Sequence, residues 1–203
     1  MKKLSIILIF ILMSCSFSYS QFKFAPKAYI AITSVDRDSY FKVDSKQSFS
    51  FGFYGEYKFS KFAINAELNY IKIGYTTDKD EYRENEDDAP VLIKADYNSN
   101  QLNLLTTAKY YFTDRLSLRA GCYIGTVLDY KIDASIASIN EKETLDISNQ
   151  ITKTDYGLTT GIEFEIYRGA FIDANYIYGL NDLYKNDVST YNRILYFGLG
   201  YKF

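Results

Sequence analysis

The sequence predicts an all-β chain: an eight-stranded antiparallel up-and-down transmembrane β-barrel, preceded by a cleaved signal peptide. Three observations carry this. Apolar and polar residues alternate with a period of two along most of the chain. The gaps between the alternating segments are by turns short and long, as in outer-membrane barrels. The apolar faces hold more Phe, Tyr, Leu and Ile than the interior of eight strands can enclose. Those faces must point outward, which is stable only in lipid.

The N-terminus reads separately. Lys2 and Lys3 precede an apolar run from Leu4 to Met13, followed by Ser14, Cys15, Ser16, Ser18 and Ser20. Charged, apolar and small-residue regions in that order make a secretory signal. The run falls short of the ~20 residues that a spanning helix needs. Cleavage after Ser20 gives a signal peptide over 1–20 and a barrel domain over 21–203. Losing Lys2 and Lys3 then takes the net charge from −2 to −4. An alternative is lipidation at Cys15, since Leu12-Met13-Ser14-Cys15 resembles a lipobox, although Met is a poor fit at its second place. With the Ser20 cut, Cys122 is the single cysteine left and reads as a small apolar side chain.

The strands follow in order. In the first, Phe22, Phe24, Ala28, Ile30 and Ile32 share a face, Lys23, Lys27 and Tyr29 oppose them, and Pro26 interrupts. From Ser48 to Phe59, Phe49, Phe51, Phe53, Gly55, Tyr57 and Phe59 alternate with polar or small residues, including Glu56 and Lys58. Phe62 to Tyr70 places Ile64 and Leu68 opposite Asn65, Glu67 and Asn69. Leu102 to Phe112 and Leu116 to Leu128 alternate likewise, and Asp129 takes the inward parity of Arg119. Tyr156 to Phe164, Ile172 to Tyr178 and Leu195 to Phe203 complete eight. Ser60-Lys61, Thr113-Asp114-Arg115 and Tyr167-Arg168-Gly169 are the tight turns. Residues 34–47, 76–98, 131–152 and 181–190 are the long polar loops. Both termini then lie on the short-turn, periplasmic side of a Gram-negative outer membrane. Tyr57, Tyr70, Tyr110, Tyr130, Tyr178 and Tyr201 are expected to form interfacial girdles in a chain without Trp.

Inward parity collects seven acids and seven bases. The acids are Glu56, Glu67, Asp129, Asp155, Glu163, Glu165 and Asp173. The bases are Lys23, Lys27, Lys58, Lys109, Arg119, Lys153 and Lys202. A buried charge without a partner is costly. A lumen ion-pair network is therefore expected among Glu56, Glu67, Lys109, Arg119, Asp155, Glu163 and Asp173, centred on Arg119, Lys109, Glu56 and Glu67. It reads as a polar plug, with a substrate or ion path as the alternative. Lys72 and Arg193 have outward parity near the loop ends, where headgroups can solvate them.

Several strand motifs carry a resemblance. Glu67-Leu68-Asn69-Tyr70 with Gly74, Ala108-Lys109-Tyr110-Tyr111-Phe112, Leu118-Arg119-Ala120-Gly121, Asp155-Tyr156-Gly157-Leu158 with Gly161, and Tyr176-Ile177-Tyr178-Gly179-Leu180 occur in this order. Over residues 22–203 the chain resembles the Bacteroidota outer-membrane β-barrel domain family, also labelled porin family or PorT family. The resemblance implies outer-membrane residence and no defined activity. Asn175 departs from it, at an inward place where the family often has a basic residue. Phe197, Leu199, Tyr201 and Phe203 also look like the C-terminal signal read by the barrel-assembly machinery.

Composition narrows the function. The chain has no His, which removes imidazole bases, most hydrolase triads and the commonest zinc sites. The carboxylates Glu163 and Glu165 read as lumen lining, not as a catalytic pair. The 76–97 loop carries Asp78, Asp80, Glu81, Glu84, Glu86, Asp87, Asp88 and Asp96 against Lys79, Arg83 and Lys94. No EF-hand register fits it: from Asp78, the sixth place is Arg83 and the twelfth Ala89. No metal, cofactor or nucleic-acid partner is expected. The expected partners are outer-membrane lipid, lipopolysaccharide (reached in part through divalent ions on the acidic loop) and the assembly machinery. The expectation is a small non-enzymatic barrel with a plugged lumen and a structural or interaction role. The alternatives are a component of a secretion or gliding apparatus and a narrow transport channel.

Overall fold

The computed structural model describes residues 21–37, 43–82, 91–136, 141–148, 151–184 and 189–203. The signal segment, Cys15 and most of the acidic side chains of the 76–97 loop lie outside what is described. The strands are β1 Phe22–Arg37, β2 Val43–Phe59, β3 Phe62–Tyr82, β4 Val91–Tyr111, β5 Leu116–Ile136, β6 Glu141–Asp146, β7 Thr154–Tyr167, β8 Ala170–Gly179 and β9 Thr190–Tyr201. Each pairs antiparallel with its neighbours, and the β4–β5 pairing joins the two ends of the sheet into a closed ring. Eight strands make that ring. The ninth, β6, adds to the loop end of β5 alone, from Lys131↔Asp146 to Ile136↔Glu141.

The register fixes the barrel's girth. Stepping across paired residues from Phe24 through Gly55, Ala66, Thr106, Cys122, Leu158, Tyr178 and Arg193 returns to Ser34, ten residues further along β1. That stagger over eight strands corresponds to a tilt of about 40° and an interior that side chains just fill.

The outer face is the apolar one. Phe51 is 59% exposed, Leu104 44% and Phe197 49%. A continuous belt of such residues is unstable in water and stable against acyl chains. At the short-turn end, Tyr57, Phe59, Phe62, Tyr110 and Phe112 form a run of ring contacts, and Tyr201 meets Phe203 edge-on at 5.0 Å. Tyr70 and Tyr178 lie at the loop end, and Lys72 is exposed there. The turns on the other side are tight. Arg168 and Gly169 have φ of 38° and 93°, the positive values that a two-residue hairpin turn demands.

Four expectations are corrected. The strands run further than the apolar pattern. β3 and β4 stay paired out to Tyr82↔Val91, so most of the 76–98 loop is a hairpin. The backbone ladder thus continues past the point where the apolar alternation of the sequence stops. β1 runs unbroken through Pro26, whose missing N–H is tolerated because the register with β9 begins one residue later, at Lys27. A bulge in β5 reverses its parity: Asn100 pairs with Asp129, but Gln101 pairs with Val127. Tyr130 therefore points inward and is buried, not part of a girdle. Asp129 points outward, where Asn100 Nδ2 donates to its carboxylate at 2.9 Å. Lys153 is exposed at the loop end and stays out of the lumen.

The lipid-facing belt yields a test. Leu104→Arg should lower the unfolding free energy in phospholipid vesicles by about 2–4 kcal/mol, read by denaturant titration. The same change at exposed Gln47, beyond the belt, should alter it by less than about 0.5 kcal/mol.

Candidate functional site: the polar lumen

Inward residues meet across the ring at two levels. Nearer the short turns, Lys109 Nζ lies 2.7 Å from Glu56 Oε2 and 2.6 Å from Glu163 Oε1. Lys202 Nζ reaches the same Glu163 oxygen at 2.5 Å and lies 3.9 Å from Glu56. Tyr111 donates to Glu56 Oε1 at 2.5 Å, and the Tyr54 hydroxyl donates to Glu56 Oε2. β2, β4, β7 and the segment just after β9 each supply one charged group to this cluster.

The second cluster lies toward the middle. Lys27 Nζ is 3.0 Å from Glu67 Oε2 and 2.7 Å from Asp173 Oδ2. Arg119 bridges the same two acids, with Nη1 3.0 Å from Glu67 Oε2 and Nη2 on Asp173 Oδ2. Its Nε donates to Asn175 Oδ1, while Asn175 Nδ2 donates to Asp173 Oδ2 at 2.6 Å. Asn69 Nδ2 donates to Glu67 Oε1 at 2.8 Å, and the Tyr29 hydroxyl donates to that same oxygen. Gly198 leaves the space this packing uses: a Cβ there would sit 2.1 Å from Asp173 Oδ1 and 2.9 Å from the Tyr29 ring.

The expected group is thus brought together in two clusters, with Arg119 and Glu67 in one and Lys109, Glu56 and Glu163 in the other. Lys27 and Lys202 are integral members, although the expected core omitted them. Tyr29, Tyr54 and Tyr111 are the partners that parity could have found but aromatic identity concealed. Asp155 belongs to neither cluster. It is fully buried further toward the loops and accepts hydrogen bonds from Tyr123 Oη at 3.0 Å and Asn192 Nδ2 at 2.7 Å. Lys23, Lys58 and Glu165 are partly exposed at the short-turn mouth, where Lys58 Nζ stands 3.9 Å from the Tyr111 ring centre.

Beyond the belt a tyrosine lid covers the lumen. Tyr184 shares hydrogen bonds with Tyr75 at 2.7 Å and Tyr130 at 3.0 Å, and Tyr75 stacks on Tyr97 at 4.3 Å between centroids. Val35, Val127, Ile151 and Leu183 pack beside them. Burial raises the pKa of the Tyr75 and Tyr130 hydroxyls well above the usual tyrosine value, so both stay protonated as donors. At the end of β6, the Ser148 side chain and backbone N–H both donate to Asp146, which lowers its pKa.

Chemically, the arrangement neutralises and fills. The carboxylates of Glu56, Glu67, Glu163 and Asp173 each face a cation. Among the described residues, no group of three or more His, Cys, Asp or Glu side chains is placed to hold a metal ion. Removing one buried partner should expose the network's worth. Lys109→Met should destabilise the barrel by about 3–5 kcal/mol in denaturant titration. Adding Glu56→Gln, which leaves Lys202 with Glu163, should cost clearly less than the sum of the two single changes.

Comparison with known proteins agrees with this geometry. A family model described as outer membrane protein beta-barrel domain matches residues 13–185. Ail, the attachment invasion locus protein of Yersinia pestis, has a solved structure in complex with the heparin analogue sucrose octasulfate. It is 18% identical, with a TM-score of 0.50, and the alignment covers 90% of this chain and 99% of that one. A second Ail structure gives 17% identity, a TM-score of 0.50 and the same coverage. The outer membrane protein OprG of Pseudomonas aeruginosa is 14% identical, with a TM-score of 0.47 and coverage of 90% and 96%. The likeness to Ail concerns the fold. No curated protein matches. With a closed eight-stranded ring, an apolar exterior and a family match over most of its length, the chain belongs to the outer membrane protein beta-barrel domain family.

Proposed function

We propose that this protein is a non-enzymatic outer-membrane barrel with a sealed lumen, and that its strand extensions at the loop end form its working surface. The observation that carries this is the filled interior: two charge clusters and a tyrosine lid lie in series along the bore. Eight strands leave no aqueous lumen, whereas porins need 16–18. Above the belt, β3, β4, β5 and β6 continue side by side as a small sheet, supported by the register through Tyr82↔Val91, Ile93↔Ile136 and Ile136↔Glu141. Paired strands outside the membrane hold a contact surface more rigidly than loops do.

In this reading the short turns and both termini face the periplasm, and the hairpin extensions face the exterior. Lipid and lipopolysaccharide surround the belt, with Lys72 and Arg193 at headgroup level. An apolar groove across β7, β8, β9 and β1, bordered by Ile30, Phe164 and Leu199, suits acyl chains. Phe197, Leu199, Tyr201 and Phe203 lie at alternate places on the outer face, each more than 40% exposed. That favours a role for Phe197, Leu199, Tyr201 and Phe203 as the signal recognised by the assembly machinery. Within the broader family, the strand motifs favour the Bacteroidota branch with the PorT label. Attachment to a secretion or gliding apparatus is then a specific form of the interaction role, and its loss in a deletion strain would identify it.

Two measurements test the proposal. Refolded protein in planar bilayers should give no steady conductance steps, and reproducible steps would overturn the sealed lumen. In intact cells, an added protease should cut the hairpin between Tyr82 and Val91 and spare the Thr113–Arg115 turn. The reverse pattern would overturn the orientation.

A further inference from the structure

The two lumen clusters together hold four acids and four bases. Asp155 is a fifth buried acid, 0% exposed, and among the described residues no cationic group forms an ion pair with it. Two neutral donors reach its carboxylate, from Tyr123 and Asn192. A carboxylate so enclosed is ionised only with a cation beside it and otherwise keeps its proton.

Its surroundings are rich in oxygen atoms that also lack partners. Gln101 Oε1, Asn103 Oδ1 and Asn192 Oδ1 are buried and accept no hydrogen bond. Their residues are 1%, 0% and 1% exposed. Asn192 gives its nitrogen to Asp155, so its oxygen lies at the same level of the bore. On the neighbouring strand β5, Gly125 stands between Asn103 and Asp155 in the ladder. A Cβ on Gly125 would be 2.1 Å from Asn103 Oδ1 and 3.7 Å from Gln101 Oε1. Asn103 Oδ1 therefore occupies the place that a side chain at 125 would fill, with Gln101 Oε1 beside it. Leu105, Ile177 and Ile194 line the bore toward the charge clusters, and Val127 and Ile151 lie toward the lid.

We propose that Asp155, with the amide oxygens of Gln101, Asn103 and Asn192, binds a monovalent cation of the sodium or potassium class inside the lumen. The donor chemistry is hard oxygen throughout, which suits alkali and alkaline-earth ions and not softer metals. Charge decides between those two groups. One carboxylate balances one positive charge, whereas a divalent ion would leave an excess charge buried. Carbonyl-type oxygens replace the water shell of such ions, as in selectivity filters. The bound ion would take the place of the proton that otherwise keeps Asp155 neutral, so the buried lumen stays uncharged. Enclosure between two apolar layers makes it a structural ion, not one in transit.

The test uses the full mature chain refolded in detergent micelles. Thermal unfolding is followed at constant ionic strength in sodium, potassium or N-methylglucammonium chloride, the last cation being too large to enter. The midpoint should rise saturably in sodium or potassium, by roughly 5–10 °C at about a hundred times the dissociation constant. Asp155→Asn and Gln101→Leu should both lose the rise while keeping the compact electrophoretic band of a folded barrel. If Asp155→Asn does not fold, Gln101→Leu decides. Equal midpoints in the three chlorides would overturn the proposal, as would an undiminished rise in Gln101→Leu. A rise with calcium alone would overturn the monovalent assignment.

Discussion

A strand that faces acyl chains finds no water for its backbone groups. Each N–H and C=O must bond to a neighbouring strand, and the sheet can have no free edge at that depth. This constraint produces the rest of the molecule. It forces β1 onto β9 and β4 onto β5, and it fixes an even number of crossings. Closure also allows the chain to place its greasy residues on the outside. Where the constraint lapses, beyond the belt, the architecture relaxes: β6 can hang on β5 with one neighbour, an edge that lipid would not tolerate.

Closure has an inner counterpart. A stagger of ten over eight strands leaves a bore that must be packed, and the alternation that sends Phe and Leu outward sends polar residues in. Packing polar groups without water is costly unless each finds a partner. Lys27 and Arg119 therefore each bridge the same two acids, Glu67 and Asp173, and Lys109 and Lys202 share Glu163. Asn175, at an inward place where a base is common in the family that the motifs resemble, is accommodated because Arg119 spans the gap, bonding Asn175 and Asp173 together.

The ring, its eight crossings and the sense of its faces were legible in the sequence because lipid imposes a strict period of two. What lay hidden departs from that period for local reasons. One bulge beside Leu128 sends Tyr130 into the lid and Asp129 outward, and nothing in the residue types of that stretch marks an extra residue. The upper halves of β3, β4 and β5 escaped notice because their sequence lacks the strict apolar alternation that the belt imposes. In the lumen, parity placed Glu56, Glu67, Asp155, Glu163 and Asp173 inward but misplaced Asp129, and it could not rank their partners. Tyrosine was read by its ring, whereas Tyr29, Tyr54 and Tyr111 act through their hydroxyls.

The seam between β1 and β9 has a consequence for how the molecule comes into being. It joins Lys27 to Gly200 and Arg37 to Thr190, stretches from opposite ends of the polypeptide. Every other pairing in the ring is between strands adjacent in sequence or nearly so. β1 must therefore wait, one side of its ladder unmet, until β9 is in place. Such a long-range junction delays completion, because loop-closure entropy must be overcome before the contact rewards it. Until then the sheet is open on one flank, and the hydrogen-bonding groups of that flank stay unmet until the ring closes.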